Sequence, residues 1–181
     1  MFLNSSRFAP ISTTAQLPAP RLVVTTHTAD GTSVIASDSQ ITPFQPLGPK
    51  GSAFVRFNSR LSVPVSNTSY PPDLSATLPR CPPQGVIFCT TDFPPGAQAP
   101  MHRTQTLDYC AVISGEIVLA LDGGQETVIR AGEFIVQRGT NHSWINRSNS
   151  VCRCVVVMVA AEKVVTLSAK VLEETVFQAK K

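Results

Sequence analysis

The spacing of apolar residues along the chain predicts strands almost throughout. Residues 21–37, RLVVTTHTADGTSVIAS, contain two short β-branched runs on either side of Asp30-Gly31. An Asp-Gly step between such runs is a strong hairpin signal, because glycine takes the positive φ of a tight turn. Residues 41–83 carry many prolines and one clear strand, AFVRFNSRLSV. They predict extended irregular structure wrapped on a core, or a lid over a substrate. From residue 85 six β-rich runs follow: GVIFCTTDF, LDYCAVISGEIVLAL, QETVIR, GEFIVQ, HSWIN and CRCVVVMVA. Gly, Asn, Ser or charged residues separate them and no helical period intervenes, which is the pattern of an all-β barrel or sandwich. Near the end, Val164, Leu167, Val171 and Leu172 approach helical spacing, so a short C-terminal helix packed on the barrel is expected.

Composition sharpens the boundaries. Residues 1–20 are rich in Ser, Thr and Pro and run into LPAPR, a stretch that cannot bury enough surface to order itself. It is read as a flexible arm, although a weak organellar transit peptide has a similar composition. Residues 21–181 are then a single domain, with a barrel core at about 85–160 and no internal repeat to support a second barrel. A net charge of +3, with 15 scattered Lys and Arg, gives no continuous basic face, which excludes nucleic acid as a partner. No run reaches the ~18 apolar residues of a membrane span, and no charged start precedes an apolar block, so a cytoplasmic protein away from membranes is expected. Five cysteines without a CxxC pair read as reduced thiols, and Cys152 and Cys154, two apart in a strand, fill core volume from one face.

The informative chemistry lies in the histidines. There are only three, and two fall inside the β-rich core, in PMHRTQTLDYC and GTNHSWIN. On a strand of period two, His102, Thr104, Thr106, Asp108 and Cys110 share one side, while Arg103 and Tyr109 take the other. An imidazole and a carboxylate on one face, joined by His142 from a distant strand, make a two-histidine, one-carboxylate set that leaves metal positions open. Trp144 and Asn146 share the parity of His142 and are placed as cavity-lining, substrate-binding residues. His27, beside the hairpin turn, is read as an ordinary imidazole.

The spacing of these residues resembles the cupin superfamily. Its first motif, G-x5-H-x-H-x3-4-E-x6-G, is matched by Gly96-x5-His102-x-Thr104-x3-Asp108-x6-Gly115. Its second, G-x5-P-x-G-x2-H-x3-N, is matched by Gly132-x4-Gln137-x-Gly139-x2-His142-x3-Asn146, one residue short and with Gln for Pro. In detail the chain is similar to small fungal monocupins of polyketide and other secondary-metabolite pathways. The resemblance implies a double-stranded β-helix (jelly-roll) barrel holding one divalent metal ion through His102, Asp108 and His142. Iron is the first choice, with zinc, manganese and nickel as alternatives. The same three residues would be catalytic, and Thr104, standing where the second motif histidine belongs, would bind substrate. Three functions follow: a metal-dependent oxidoreductase acting on a polyketide-like or aromatic small molecule, a non-oxidative metal-assisted lyase or isomerase (decarboxylation, dehydration or cyclisation), and a non-catalytic small-molecule-binding barrel. Oligomers are common in the superfamily, and an arm followed by an edge hairpin can add a strand to a partner barrel, so a homodimer is expected. Sedimentation should show twice the 19.4 kDa chain mass; a single monomeric species removes the idea.

Overall fold

Alternation along a strand decides which residues turn inward, and β5 (Thr106–Ser114) shows it most clearly. Thr106, Asp108, Cys110 and Val112 are buried, whereas Tyr109 and Ile113, at the alternate positions, are half exposed. The computed structural model describes residues 17–48, 50–69 and 78–175. Most of the arm expected over residues 1–20 therefore lies outside the described residues.

In chain order β5 is preceded by β1 (Arg21–His27), β2 (Ser33–Gln40), β3 (Ala53–Arg60) and β4 (Val86–Phe93). It is followed by β6 (Glu116–Leu121), β7 (Glu126–Arg130), β8 (Phe134–Arg138), β9 (His142–Ile145) and β10 (Cys152–Ala160), then the short β11 (Val164–Val165) and β12 (Val171–Leu172). All pairings between these strands are antiparallel. One sheet has the order β3-β4-β10-β5-β8 and a second the order β7-β6-β9. Their inner faces meet in one core, where Phe93, Val112, Cys152 and Cys154 of the first pack with Ile117, Leu119 and Ile129 of the second. This is the all-β architecture expected from the strand pattern, in the two-layer jelly-roll form that the cupin resemblance implied. The Cys152 and Cys154 sulfurs lie 3.9 Å apart on one face, buried and unoxidised.

Between β5 and β6 the chain reverses at Gly115, whose φ is +72°. A Cβ there would sit 2.8 Å from the Val151 carbonyl oxygen, so the turn needs glycine for both conformation and space. The β1–β2 hairpin forms around Asp30-Gly31 as expected, and nearly all its side chains are exposed. Among the described residues no helix is long and apolar enough to cross a membrane.

Among the described residues the expected C-terminal helix is not present: residues 164–172 form a small hairpin, Val164 pairing with Leu172 and Val165 with Val171. The two spacings share apolar positions at 164, 171 and 172, and local chemistry decides between them. Three of the four paired residues are valines, whose branched side chains favour strands. Thr166 closes the turn through its backbone N–H to the Lys170 carbonyl, and a helix this short is marginal in water. Leu167, which a packed helix would have buried, is fully exposed.

One charge pair fastens β10 to β4. Arg153 Nε and Nη2 donate to the two carboxylate oxygens of Asp92 at 2.6 Å each, and Nη1 donates to the Pro18 carbonyl at 2.9 Å. Side-chain exposures of 8% and 15% make this a nearly dry pair. Removing one member of such a pair leaves an uncompensated charge, so Arg153→Ala should lose about 3–5 kcal/mol in urea unfolding. Unchanged stability would mean that the pair contributes nothing.

Candidate functional site

Two cross-strand pairs bring the predicted residues together. On the sheet, Asp108 of β5 lies directly opposite Gln137 of β8. Next to it, His102 and His142 form an antiparallel bridge, each backbone N–H donating to the other's carbonyl at 2.8 Å. The imidazole centroids are 4.2 Å apart. His142 starts β9, and residues 96–102 run beside that strand, held by Ala99 N–H on the Trp144 carbonyl and Ser143 Oγ on the Ala99 carbonyl.

The side chains form a short chain of hydrogen bonds. Gln137 Nε2 donates to Asp108 Oδ2 at 2.9 Å and approaches His142 Nε2 at 3.2 Å. His142 Nδ1 lies 2.9 Å from the Thr140 carbonyl, and His102 Nδ1 lies 2.8 Å from the Pro100 carbonyl. A carbonyl only accepts, so in both rings Nδ1 carries a proton, and His142, held neutral by burial, keeps the lone pair on Nε2. One amide group thus serves the carboxylate and the second imidazole together. Asp108 Oδ1 and Gln137 Oε1 remain buried without a hydrogen-bond partner. The cluster holds more acceptors than donors, at a cost of about 1–3 kcal/mol for each orphan.

Burial controls the protonation of this cluster. Burial, aided by the neighbouring His102, holds the His142 imidazole down at about 4. It pushes the Asp108 carboxyl above the ordinary carboxylate range, against the opposing effects of the Thr106 hydroxyl, the Gln137 amide, His102 and Thr104. The same cause raises the Cys89 and Cys110 thiols to about 12, so they are not nucleophiles.

Of the other predicted residues, Thr104 borders Asp108, whereas Trp144 and Asn146 occupy different surroundings. Thr104 Oγ1 accepts from Thr106 Oγ1 at 2.8 Å, and both threonines line a cavity of about 300 Å³ with Arg103, Arg138, Lys163 and Leu172. Asp108, His102 and His142 are not among the residues lining it. Trp144 packs on the core, with its ring centroid 5.7 Å from that of His142 in an edge-on arrangement and 6.4 Å from that of Phe93. Asn146 is fully buried and stands apart from the cluster. Its amide donates to the Phe93 and Ser150 carbonyls, and its oxygen accepts from the Ser148 N–H and hydroxyl, which uses its capacity inside the 146–150 turn. Arg103, assigned to the opposite face, has Nε on the Gly139 carbonyl at 3.0 Å.

Gln137 was visible in the sequence only as a departure from the motif proline. Its signal was parity: in β8, Ile135 and Gln137 point inward while Phe134 and Val136 are exposed, so a long polar side chain occupies a core position.

No three His, Cys, Asp or Glu side chains among the described residues are grouped so as to hold an ion. In kind, the donors do fit a divalent cation. The neutral His142 imidazole keeps an Nε2 lone pair, and Asp108 Oδ1 and Gln137 Oε1 are buried without a hydrogen-bond partner, a deficit that a cation relieves.

A jelly-roll barrel with paired histidines and a carboxylate on its inner wall defines the cupin class, and the cupin-domain family matches residues 89–158. The chain belongs to this family. It is 33% identical over 163 residues to Phomopsin biosynthesis cluster protein C' of Diaporthe leptostromiformis, covering 87% of this chain and 86% of that protein. A shorter stretch of 62 residues is 45% identical to the Cupin-domain-containing oxidoreductase fogC of Aspergillus ruber, covering 34% of this chain and 30% of that protein. Among solved structures, the Schizosaccharomyces pombe Cnp3 cupin domain resembles it with a TM-score of 0.49 at 10% identity, covering 77% of this chain and 87% of that one.

The depressed His142 value makes stability pH-dependent. Native His142 stays neutral down to about pH 4 while the unfolded imidazole takes up a proton near 6.5, so the unfolded state binds more protons between those values. Stability therefore falls as the pH is lowered through this window, by about 2 kcal/mol between pH 7 and pH 5 for metal-free protein. The raised Asp108 carboxyl acts in the opposite sense, regaining stability as the pH falls through its folded value. Urea unfolding of chelated protein should show the loss, and His142→Gln should flatten it.

Proposed function

We propose that this chain is a metal-dependent enzyme of secondary metabolism that oxidises, or oxidatively rearranges, a polyketide-like or aromatic small molecule. The observation that carries this reading is the acceptor-rich cluster of His102, Asp108 and His142 on the inner wall of the barrel. Its relatives support the setting, since one is named for a biosynthesis cluster and another as an oxidoreductase.

His102, His142 and Asp108 are the residues that would hold one divalent ion, iron first. Such an ion supplies Lewis-acid or one-electron chemistry when bound. The protein's own groups supply the rest. His142 is neutral at physiological pH, so its Nε2 acts as a lone-pair donor and not as a cation. The backbone carbonyls of Pro100 and Thr140 fix both imidazole tautomers. The cavity of about 300 Å³ is not lined by the three ligand candidates themselves but adjoins them through Thr104 and Thr106, whose hydroxyls act on Asp108 and would hydrogen-bond a substrate's oxygen atoms, while Leu107, Val164 and Leu172 would cover its apolar parts.

A second reading rests on Asp108. A buried carboxyl with an elevated pKa and an orphaned Oδ1 is suited to take a proton from a substrate and return it, which serves a non-oxidative lyase or isomerase. An oxygen electrode separates the two readings. The oxidative enzyme consumes oxygen with aromatic or polyketide-like substrates, whereas turnover under strict anaerobiosis favours the second. His142→Ala should lose the metal and the activity. Protein that holds no stoichiometric metal, with a His142→Ala variant that behaves like wild type, would leave only a small-molecule-binding barrel.

A further inference from the structure

The predicted ligand set is one residue short of the cupin pattern, because Thr104 stands where the second histidine would be. Its hydroxyl accepts from Thr106 instead of offering an imidazole. Gln137 supplies a donor at the same cluster from the opposite strand. Its residue is 5% exposed, it contacts both Asp108 and His142, and its Oε1 is buried without a partner.

We propose that Gln137 Oε1 is a ligand in its own right, completing with His102, His142 and Asp108 a four-donor set for a divalent cation. This rests on the metal-dependent reading above and deepens it. The four residues form two adjacent cross-strand pairs, His102 with His142 and Asp108 with Gln137, so one cluster is built from both sides. The amide N–H groups bridge two atoms, Asp108 Oδ2 and His142 Nε2, whose lone pairs a cation also needs. A cation that takes those lone pairs removes both acceptors from the amide. Rotation of the amide about its last torsion then exchanges Nε2 for Oε1. That torsion is broad and roughly two-fold, and the two ends of an amide have nearly the same shape, so the exchange needs little repacking. The amide oxygen is a neutral hard donor and carries lone pairs that the NH₂ end lacks. One side chain thus satisfies the acceptors without metal and joins them with metal.

Cobalt(II) binding tests this, using the full chain stripped of metal and then titrated, with visible absorption as a readout independent of activity. Wild type should bind one equivalent. Gln137→Leu should bind roughly tenfold or more weakly, with altered d–d bands. Gln137→Glu keeps an oxygen at the position and should bind at least as tightly as wild type, which covers the case in which the leucine variant does not fold. Equal affinity and an unchanged spectrum in Gln137→Leu would overturn the assignment. So would tighter binding in that variant, since the amide would then be only a competitor for the lone pairs, and so would a loss of tenfold or more in Gln137→Glu. If wild type itself binds no cobalt, zinc, iron or manganese, the metal-dependent reading falls and this assignment falls with it.

Discussion

The register between β5 and β8 is the constraint on which the rest of the site depends. Leu107 faces Arg138, Asp108 faces Gln137 and Tyr109 faces Val136. Because side chains alternate, a shift of one residue would send Asp108 to the surface and bring Tyr109 inside. Packing resists that slip on both sides, since β5 also pairs along its length with β10, whose Cys152 and Cys154 share the core with Val112. The apolar half of the barrel therefore fixes the phase in which its polar half is displayed.

That polar half is costly to the fold. A buried carboxyl, two orphaned oxygens and an imidazole kept neutral are groups an apolar core would avoid. Fold stability comes from elsewhere, from the sealed layer around Val112, Ile117 and Cys152 and from the bidentate Asp92–Arg153 pair. The polar wall and the apolar layer belong to the same strands, separated along their length: β5 carries Asp108 near one end and Val112 near the other.

The order of the β-rich runs and the inward phase of β5 were legible in the sequence, because alternation and turn glycines are local signals, although the one run LDYCAVISGEIVLAL holds two strands, β5 and β6. His102, Asp108 and His142 were legible through spacing. Gln137 was not, since a motif comparison registers it only as a missing proline, whereas its role depends on facing Asp108 across a sheet. The C-terminal hairpin was misread as a helix because apolar positions 164, 171 and 172 fit both periods, and only pairing distinguishes them. Asn146 followed the parity of His142 yet serves its own turn, a distinction that requires knowing where each of its hydrogen bonds goes. The outer face of β10 and β5 was also hard to read, because Val157 and Tyr109, which pair across it, are not polar in the way a solvated face usually is.

The two halves of the cluster are held differently. Asp108 and Gln137 lie within continuous sheet, with ladder partners on either side. His102 lies outside any strand and is tied by its bridge to His142. Its neighbour Arg103 adds the other ties: Nε holds the Gly139 carbonyl beside the His142 turn, and its backbone exchanges hydrogen bonds with Thr175. The distance between the two imidazoles thus depends on residues 139 and 175 as well as on the barrel, and Thr175 follows the C-terminal hairpin. A chain that had packed a helix there would have offered Arg103 different partners. The hairpin, remote from the chemistry in sequence, is therefore part of what holds His102 against His142.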